Sequence, residues 1–329
     1  MPSDRPPFGS TFVALPTPFD ARGGVDGAAL DHITDYVLGR PFEGVAVLTE
    51  AAEDVLLSND ERIQILERVA ARIHRKKPML VGVSSPSSAE AVSLVRHAAS
   101  LGATGVLVGP YRVPGLGYRE LYRHIEKIGR AHEDGRVCLV VRPDNAVDHL
   151  SPEETSTLAK HPRITGAFVP GGTGEMFDRW SKRMRDREGD VFSGCALTFA
   201  TDAHHGATAV VCGVSLIAAD AAKALLDAVR NKDTKAVTAL ASRVNPAAEL
   251  LGPPKVGEEA TGWRRVVARV SGRPLAPTAM RPSVPAALIK SALQLLGHPV
   301  QNVVRPPYEG LSKAQLEHLR SVLKVSGLM

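Results

Sequence analysis

Eight short apolar runs, separated by stretches with helical spacing, constrain the fold of this chain more than any other feature. Each run is apolar throughout rather than alternating, which is typical of strands buried on both faces of a parallel sheet. Eight successive β–α units predict a (β/α)8 TIM barrel, in which reactive groups lie at the carboxyl ends of the strands. The runs are Thr11–Leu15, Gly44–Leu48, Met79–Val83, Gly105–Val108, Val137–Val141, Ile164–Val169, Val191–Gly194 and Ala209–Cys212.

A doubly wound open sheet is the structural alternative, because it is also built from alternating strands and helices. That fold usually has a glycine-rich fingerprint after its first strand. Here the first run is followed by Pro16–Phe19 (PTPF), which is not that fingerprint. The sequence therefore favours the closed barrel.

Helix start signals fall between the runs. Ser58 precedes an acidic pair, and Ser151 precedes a proline and two glutamates. Both patterns are typical of an N-cap followed by a first turn that favours acids. A further helix is predicted over Ser87–Leu101, where apolar residues recur on one face.

The strand signal stops near residue 221, so we predict a barrel over residues 1–221 and a C-terminal helical region over residues 222–329. A proline-rich excursion at 252–282 interrupts that region, and a lid, an arm onto a neighbouring subunit and a disordered segment all stay open for it. The helices predicted there are Ala222–Val244, Ala286–Leu296 and Leu311–Val325.

Composition and charge exclude several classes of protein. The chain has 329 residues and a net charge of +5, and its basic residues do not form a stripe with aromatics, so we expect no nucleic-acid partner. No stretch has the length and apolar character of a membrane span, and Met1–Phe8 lacks the apolar core of a signal peptide. Three cysteines without a CxxC motif predict no metal site and suit the reducing cytoplasm. We expect no cofactor.

Several segments resemble one known family. The motifs are ALPTPF at Ala14–Phe19, LSNDER at Leu57–Arg62, Pro110-Tyr111 after the fourth run, and two C-terminal stretches at Pro285–Lys290 and Arg305–Pro307. Together they resemble the dihydrodipicolinate synthase / N-acetylneuraminate lyase family over about residues 10–320. The resemblance implies a TIM barrel with a C-terminal helical region, usually assembled as a homodimer or homotetramer.

The resemblance also implies class I aldolases or hydro-lyases that act on pyruvate or related 2-keto acids. Their chemistry needs a lysine at the end of strand six that forms an iminium and a tyrosine at the end of strand five that transfers protons. It also needs a Gly-Thr-Thr-Gly-Glu turn after strand two that holds the carboxylate of the keto acid.

This sequence departs from the family pattern at each of these positions. Phe168 takes the place of the lysine, Val140 takes the place of the tyrosine, and the turn has the sequence TEAAE at Thr49–Glu53. No lysine lies on or just after a predicted strand, and Lys255 in the excursion is the candidate for a relocated nucleophile. We therefore predict that the iminium mechanism is absent.

Polar groups remain at the predicted mouth of the barrel. Thr49 keeps the turn polar, and Glu50 and Glu53 are either an acid and base pair or a solvated loop in which Glu53 binds backbone groups. Arg142 at the end of strand five either holds a ligand carboxylate or forms a structural pair with Asp144 or an interface contact.

Two further residues are candidates on weaker grounds. Tyr111 lies where the resemblance implies a tyrosine near the active site, and it is either a proton relay or a packing residue. Cys195 ends strand seven and is either a reactive thiol or a small buried side chain. His204 and His205 follow it, but adjacent residues on a helix face different directions and do not readily share a metal ion.

Two classes of function follow. In the first, the chain is a relative without Schiff-base chemistry that binds a small carboxylate metabolite or assembles with an active paralogue. In the second, it is a lyase or hydro-lyase that acts on a 2-keto acid-type substrate by a lysine-independent mechanism. The volume of the barrel mouth around Phe168 discriminates between them, because turnover requires an open pocket there.

Overall fold

A computed structural model describes residues 10–111, 117–142, 150–252 and 285–329. Its centre is a closed barrel of eight parallel strands that pair in chain order, with the last strand pairing with the first. The prediction of a (β/α)8 barrel is confirmed, and each predicted strand is found within one residue of its expected ends. The strands are β1 Ser10–Ala14, β2 Gly44–Val47, β3 Met79–Gly82, β4 Gly105–Val108, β5 Arg136–Val140, β6 Ile164–Val169, β7 Asp190–Ser193 and β8 Ala209–Cys212.

Helices follow the strands and cover the outside of the barrel. Most strand residues are buried, because the barrel interior covers one face of each strand and the helices cover the other. The helices are α1 Gly27–Leu38, α2 Asn59–Ile73, α3 Ser88–Ser100, α4 Tyr118–Ala131, α5 Pro152–Ala159, α6 Gly174–Arg185, α7 Phe199–His204 and α8 Ala219–Arg230.

The predicted helix starts are confirmed by their capping bonds. The Ser58 hydroxyl accepts the Glu61 N–H, and the Glu61 carboxylate accepts the Ser58 N–H in return. Ser151 and Glu154 form the same reciprocal pair, and the Ser87 hydroxyl accepts a backbone N–H at the start of α3. Such reciprocal bonds satisfy donors that the first turn of a helix otherwise leaves unpaired.

The C-terminal region differs from its prediction at one point. The single helix expected over Ala222–Val244 is wrong, because α8 ends at Arg230 and a new helix, α9, spans Thr234–Leu251. Lys232 between them has a left-handed φ of 58°, and the Asp233 carboxylate accepts the Ala236 N–H in the first turn of α9. A left-handed residue next to a strong N-cap interrupts the helix although apolar residues recur on both sides.

The remaining C-terminal helices were predicted correctly. Helix α10 spans Pro285–Leu295 and α11 spans Lys313–Val325. The predicted domain boundary at 221/222 falls inside α8. The excursion at 252–282 lies outside the described residues apart from Gly252, and so does Lys255. None of the described helices combines the length and the apolar character needed to cross a membrane.

Candidate functional site at the barrel mouth

A small cavity opens at the carboxyl end of the barrel, where the candidate residues were expected. Its volume is about 50 Å3, which holds a few water molecules or the carboxylate end of a short ligand. Its wall includes Thr49 and Glu50 from the loop after β2 and Phe168 from β6. Gly194 and Gly213, after β7 and β8, also line it.

Phe168 in this wall lies beside Val140 of the neighbouring strand. Strands β5 and β6 pair so that Val140 stands opposite Phe168, and Phe192 of β7 stands on the other side. Phe168 is 7% exposed and belongs to the hydrophobic core. The two positions at which the family resemblance implies a lysine and a tyrosine are therefore an adjacent apolar pair, of which Phe168 lines the cavity.

The loop after β2 holds its polar residues in a tight conformation. Leu48 and Glu53 both have left-handed φ angles, 56° and 55°, and a short 3-10 turn lies on each side of Glu53. Gly82 of β3 is needed for this path, because a Cβ atom there would lie 1.7 Å from the Leu48 carbonyl oxygen. Backbone conformations of this kind persist where neighbouring structure enforces them, and they are common at functional sites.

Thr49 contributes a buried hydroxyl to the cavity wall. The residue is 7% exposed, and its Oγ1 atom has no hydrogen-bond partner among the described residues. Burying a hydroxyl without a partner costs about 1–3 kcal/mol in proteins, so such groups usually bind a ligand or a water. Thr49 is thus a ready donor or acceptor for a molecule in the cavity.

Glu50 and Arg142 meet at the rim of the cavity. Arg142 Nη1 lies 2.6 Å from Glu50 Oε2, and the two side chains are 29% and 37% exposed, respectively. The sequence presented these residues as separate candidates, and the structure brings them together. The alternative partner, Asp144, lies outside the described residues.

Two residues that were not predicted, Arg62 and Asp54, form a second polar layer behind this pair. Arg62, on α2, donates from Nη2 to the Asp54 carbonyl at 2.8 Å and from Nη1 to the Ser84 carbonyl at 3.2 Å. Burial raises the pKa of the Asp54 carboxyl, against the opposing charges of Arg62 and Arg142. An acid in such a setting keeps its proton more readily than one in water.

Tyr111 lies next to this layer and is half-buried. Burial and the Asp54 charge raise the pKa of Tyr111 to about 12, against the opposing charges of Arg62 and Arg142. The hydroxyl therefore stays neutral at physiological pH. It can donate a hydrogen bond, but it is a poor base.

Glu53 has a structural role. Lys290 Nζ on α10 donates to Glu53 Oε1 at 2.5 Å and to the Val303 carbonyl at 2.9 Å, and both charged side chains are fully buried. The other oxygen, Glu53 Oε2, accepts the Arg305 N–H at 2.8 Å. Both carboxylate oxygens are thus bound by protein groups, which agrees with the backbone-binding alternative for Glu53 rather than with a ligand contact.

Arg305 joins this cluster to the first two β–α units. Its guanidinium makes a two-pronged ion pair with Glu61 and donates to the Gly23 carbonyl at 2.8 Å and the Leu56 carbonyl at 3.1 Å. The hydrogen bond from Arg305 lowers the pKa of Glu61 to about 2. Tyr308 follows in the same turn, half-buried and within the electrostatic influence of Glu50 and Arg142.

Cys195 lies behind the cavity wall. It is 1% exposed, and its neighbour Gly194 faces the cavity instead. His205 pairs with Asp178 at 3.1 Å on the outside of the barrel. Among the described residues, no group of three or more histidine, cysteine or acidic side chains is arranged to hold a metal ion.

Sequence signals existed for two of the unpredicted residues. Arg62 falls on the apolar stripe of α2 with Ile65, Leu66 and Val69, and a charged residue on such a stripe needs a buried partner. Lys290 interrupts the apolar helix α10 in the same way. Tyr308 carries no comparable signal, because its placement depends on the Arg305 contacts.

A family model describes most of this chain. The model of the "Dihydrodipicolinate synthetase family" matches residues 7–254. The chain belongs to this family. The resemblance inferred from the motifs is therefore confirmed.

Curated and solved members of the family agree with this result. The 4-hydroxy-tetrahydrodipicolinate synthase of Prochlorococcus marinus (strain MIT 9211) is 30% identical over 284 residues, which cover 82% of this chain and 90% of the relative. The prophage family protein YagE from E. coli K12, solved in complex with pyruvate, has a TM-score of 0.78 at 20% identity over 98% of this chain and 99% of its own. A sialic acid aldolase from Ruminococcus gnavus has a TM-score of 0.77 at 15% identity, covering 97% of each chain. The last two likenesses show the fold alone.

Proposed function

We propose that this member of the dihydrodipicolinate synthetase family binds a small carboxylate at the barrel mouth and forms no Schiff base with it. The observation that carries the proposal is Phe168, buried in the cavity wall where the family resemblance implies the iminium-forming lysine. A phenyl ring has neither a nucleophile nor a proton to transfer, so the aldol chemistry implied by the family has no starting point there.

Lys290 is buried and is therefore a candidate to replace the missing iminium-forming lysine, but its contacts argue against that role. Burial lowers the pKa of Lys290 to about 8, which by itself favours a nucleophilic amine. However, its Nζ is bound to Glu53 and the Val303 carbonyl and lies 4.0 Å from the centre of the Phe19 ring. Attack on a keto carbon would require these contacts to break, and Glu53 would remain buried without its partner.

The Glu50–Arg142 pair supports binding of a carboxylate. Exposed and partly exposed ion pairs contribute only about 0–1 kcal/mol, so a ligand carboxylate can replace Glu50 on Arg142 at small cost. The Thr49 hydroxyl, buried in the same wall, then gains a hydrogen-bond partner. The cavity of about 50 Å3 favours a short ligand with two or three carbon atoms inside the barrel.

A second candidate function rests on Asp54. Its raised pKa, within the electrostatic influence of Arg142, is typical of a general acid that protonates the leaving group of a bound substrate. This arrangement would support a lyase or hydro-lyase that needs no lysine. Release of product from a 2-keto or 2-hydroxy acid by the wild-type protein, and its loss in Asp54→Asn, would favour this function over binding alone.

Borohydride reduction tests the absence of a Schiff base. The protein is incubated with pyruvate and a panel of 2-keto acids, reduced, and analysed by intact-protein mass spectrometry and peptide mapping. We expect no adduct with any of them. A stoichiometric adduct on Lys255 or Lys290 would overturn the proposal and restore the aldolase mechanism.

Calorimetric titration tests the binding. The same acids are titrated into the wild type, Arg142→Gln and the control Arg179→Gln, whose exposed arginine pairs with Glu175 on α6. A charge-assisted bond contributes about 1.5–3 kcal/mol, so Arg142→Gln is expected to weaken binding about 10- to 100-fold and the control to leave it unchanged. Equal affinities in all three proteins would remove Arg142 from the site.

The assembly and location of the protein form part of the same proposal. We expect a homodimer or homotetramer, which the family resemblance implies, or an assembly with an active paralogue. Light scattering after size exclusion tests this, and a monomer at micromolar concentration would contradict it. All three cysteines are free thiols, which supports a cytoplasmic location.

A further inference from the structure

Two histidines that are far apart in the sequence meet outside the cavity at the barrel mouth. His32 lies on α1, and His298 follows the end of α10, 266 residues later. His32 Nε2 lies 3.2 Å from His298 Nδ1, and the two ring centres are 5.4 Å apart with 66° between the ring planes. Neither histidine lines the cavity, so their contact is separate from the carboxylate site.

The backbone holds both imidazoles in place. His32 occupies the middle of α1, where its position is fixed by the helix. His298 follows Gly297, which has a left-handed φ of 86°, and its N–H donates to the Leu293 carbonyl at 3.0 Å. A left-handed glycine with this bond is a common and well-defined end of a helix. The two side chains therefore start from fixed points.

An aromatic neighbour orients the second ring. Tyr36, one turn after His32 on α1, packs edge-on against the His298 ring with 4.8 Å between the ring centres. The Arg40 guanidinium in turn lies 4.8 Å from the centre of the Tyr36 ring. His32 is exposed and His298 is half-buried, so the pair is held on one side and accessible from solvent.

The distance between the two nitrogens is that of two ligands on one ion. A tetrahedral metal with bonds of about 2.0–2.1 Å to histidine places two such nitrogens about 3.3 Å apart. In the present hydrogen bond one ring donates its N–H to the other. Moving that proton to the second nitrogen of the donor ring leaves a lone pair on both facing nitrogens. Binding of an ion thus needs a change of tautomer and little movement of the backbone.

The charges around the pair are compatible with a bound cation. Burial and the neighbouring His32 and Arg40 lower the pKa of His298, which keeps its imidazole in the neutral form that binds metals. Asp35, three residues after His32 on α1, adds a negative charge near the pair, although its carboxylate accepts a hydrogen bond from Arg72 Nε at 2.9 Å.

Only part of a coordination shell comes from the protein. Within the described part of the chain, no third histidine, cysteine or acidic side chain joins the pair as a ligand group. Water or a small chelator must fill the other positions of the ion. We therefore expect an exchangeable ion rather than a permanent structural metal.

We propose that His32 and His298 form a binding site for one divalent transition-metal ion, between α1 and the turn after α10. Imidazole nitrogen suits Cu2+, Ni2+ and Zn2+, and Cu2+ binds such ligands most strongly, whereas Mg2+ and Ca2+ prefer oxygen. The bound ion joins the first helix of the barrel to the C-terminal helical region. This site is independent of the proposed carboxylate binding, because it shares no residue with the cavity.

Titration of the full-length, untagged protein with a copper chelate tests the inference. After treatment with EDTA and its removal, Cu2+-iminodiacetate is titrated calorimetrically into the wild type, His32→Gln, His298→Gln and the control His204→Gln. The chelator holds the copper by three donors and leaves adjacent positions for two imidazoles. We expect the wild type and the control to bind one equivalent with equal affinity, and each of the other two variants to bind about tenfold more weakly or less.

His204 is a matched control because it also belongs to a close pair. Its ring centre lies 5.3 Å from that of His205, with 82° between the planes, but His205 Nδ1 pairs with Asp178 at 3.1 Å. The comparison therefore separates two converging nitrogens from two rings that are merely near each other.

Two further measurements on the same proteins report the geometry. Electron paramagnetic resonance of the bound copper should show coupling to two imidazole nitrogens in the wild type and to one at most in His32→Gln and His298→Gln. At a chelate concentration of 100 times the Kd of the wild type, its melting temperature should rise by about 2–4 °C, whereas that of His298→Gln should not change.

Three results would overturn the inference. They are wild-type binding no tighter than that of His298→Gln, an equal loss of affinity in His204→Gln, and a copper signal from a single imidazole in the wild type. Circular dichroism establishes that each glutamine variant is folded, and asparagine at the same position replaces any that is not.

Discussion

Replacing Lys290 by methionine tests the buried ion pair that connects α10 to the loop after β2. Methionine keeps the volume of the lysine stem, so the core loses little packing. Glu53, however, loses the ammonium at 2.5 Å and stays fully buried with the Arg305 N–H as its remaining bond. Removing one partner of a buried pair costs about 3–5 kcal/mol, and we expect Lys290→Met to lose that much free energy of unfolding.

A double-mutant cycle separates the charge from the packing. Glu53→Gln alone leaves a buried ammonium unpaired and should also cost about 3–5 kcal/mol. In the double variant, Lys290→Met with Glu53→Gln, neither buried side chain carries a charge, and the glutamine oxygen still accepts the Arg305 N–H. We therefore expect the double variant to cost about 1–3 kcal/mol, far below the sum of the single changes.

Urea denaturation followed by tryptophan fluorescence measures these differences, since Trp180 on α6 is 2% exposed and reports loss of the barrel packing. Lys223→Met is the matched control, because Lys223 pairs with Asp227 on the surface of α8 and should cost about 0–1 kcal/mol. If Lys290→Met cost no more than this control, or if the double variant equalled the sum of the singles, the buried pair would not hold the loop.

Further predictions concern the acid response and the cavity wall. Arg305 holds the folded pKa of Glu61 at about 2, below its usual 4.5, so the stabilisation is present above pH 4.5 and is lost as pH falls from 4.5 to about 2. Glu61→Gln should cost about 2 kcal/mol at pH 7, after allowance for partial exposure, and flatten that acid slope in urea titrations across pH. Parallel slopes for both proteins would contradict this. Phe168→Ala should cost about 3–5 kcal/mol and enlarge the cavity, whereas Phe168→Leu should cost less than half of that in the same assay. Equal losses would mean that the ring does not fill the wall.

The barrel itself was predictable because its determinants are local. Each strand is a run of apolar residues that no surface segment would carry, and each cap, such as Ser58 with Glu61, lies within one turn of sequence. The break at Lys232 was missed because apolar residues recur on both sides of it, and periodicity alone does not register one left-handed residue.

The candidate site was predictable only in part, because its contacts join distant segments. Strand-end position identified Glu50 and Arg142 separately, but nothing in the sequence states that they pair. The sequence leaves Glu53 open between an acid or base and a residue that binds backbone groups, because its buried partner Lys290 lies 237 residues away. The closed barrel brings such distant residues together, and no local sequence pattern indicates that they pair.

The contacts of Arg305 also bear on how this chain acquires its structure during synthesis. Its guanidinium binds the Gly23 carbonyl across 282 residues and the Leu56 carbonyl across 249, so these contacts of the first two β–α units form only after Arg305 has left the ribosome. Contacts of such long sequence separation slow folding, because the chain loses the entropy of closing a long loop before the contact stabilises it. Until then we expect the early strands to be only partly ordered, with apolar edges exposed. A chaperone that shields nascent chains should therefore raise the yield of this protein more than that of a barrel closed by local contacts.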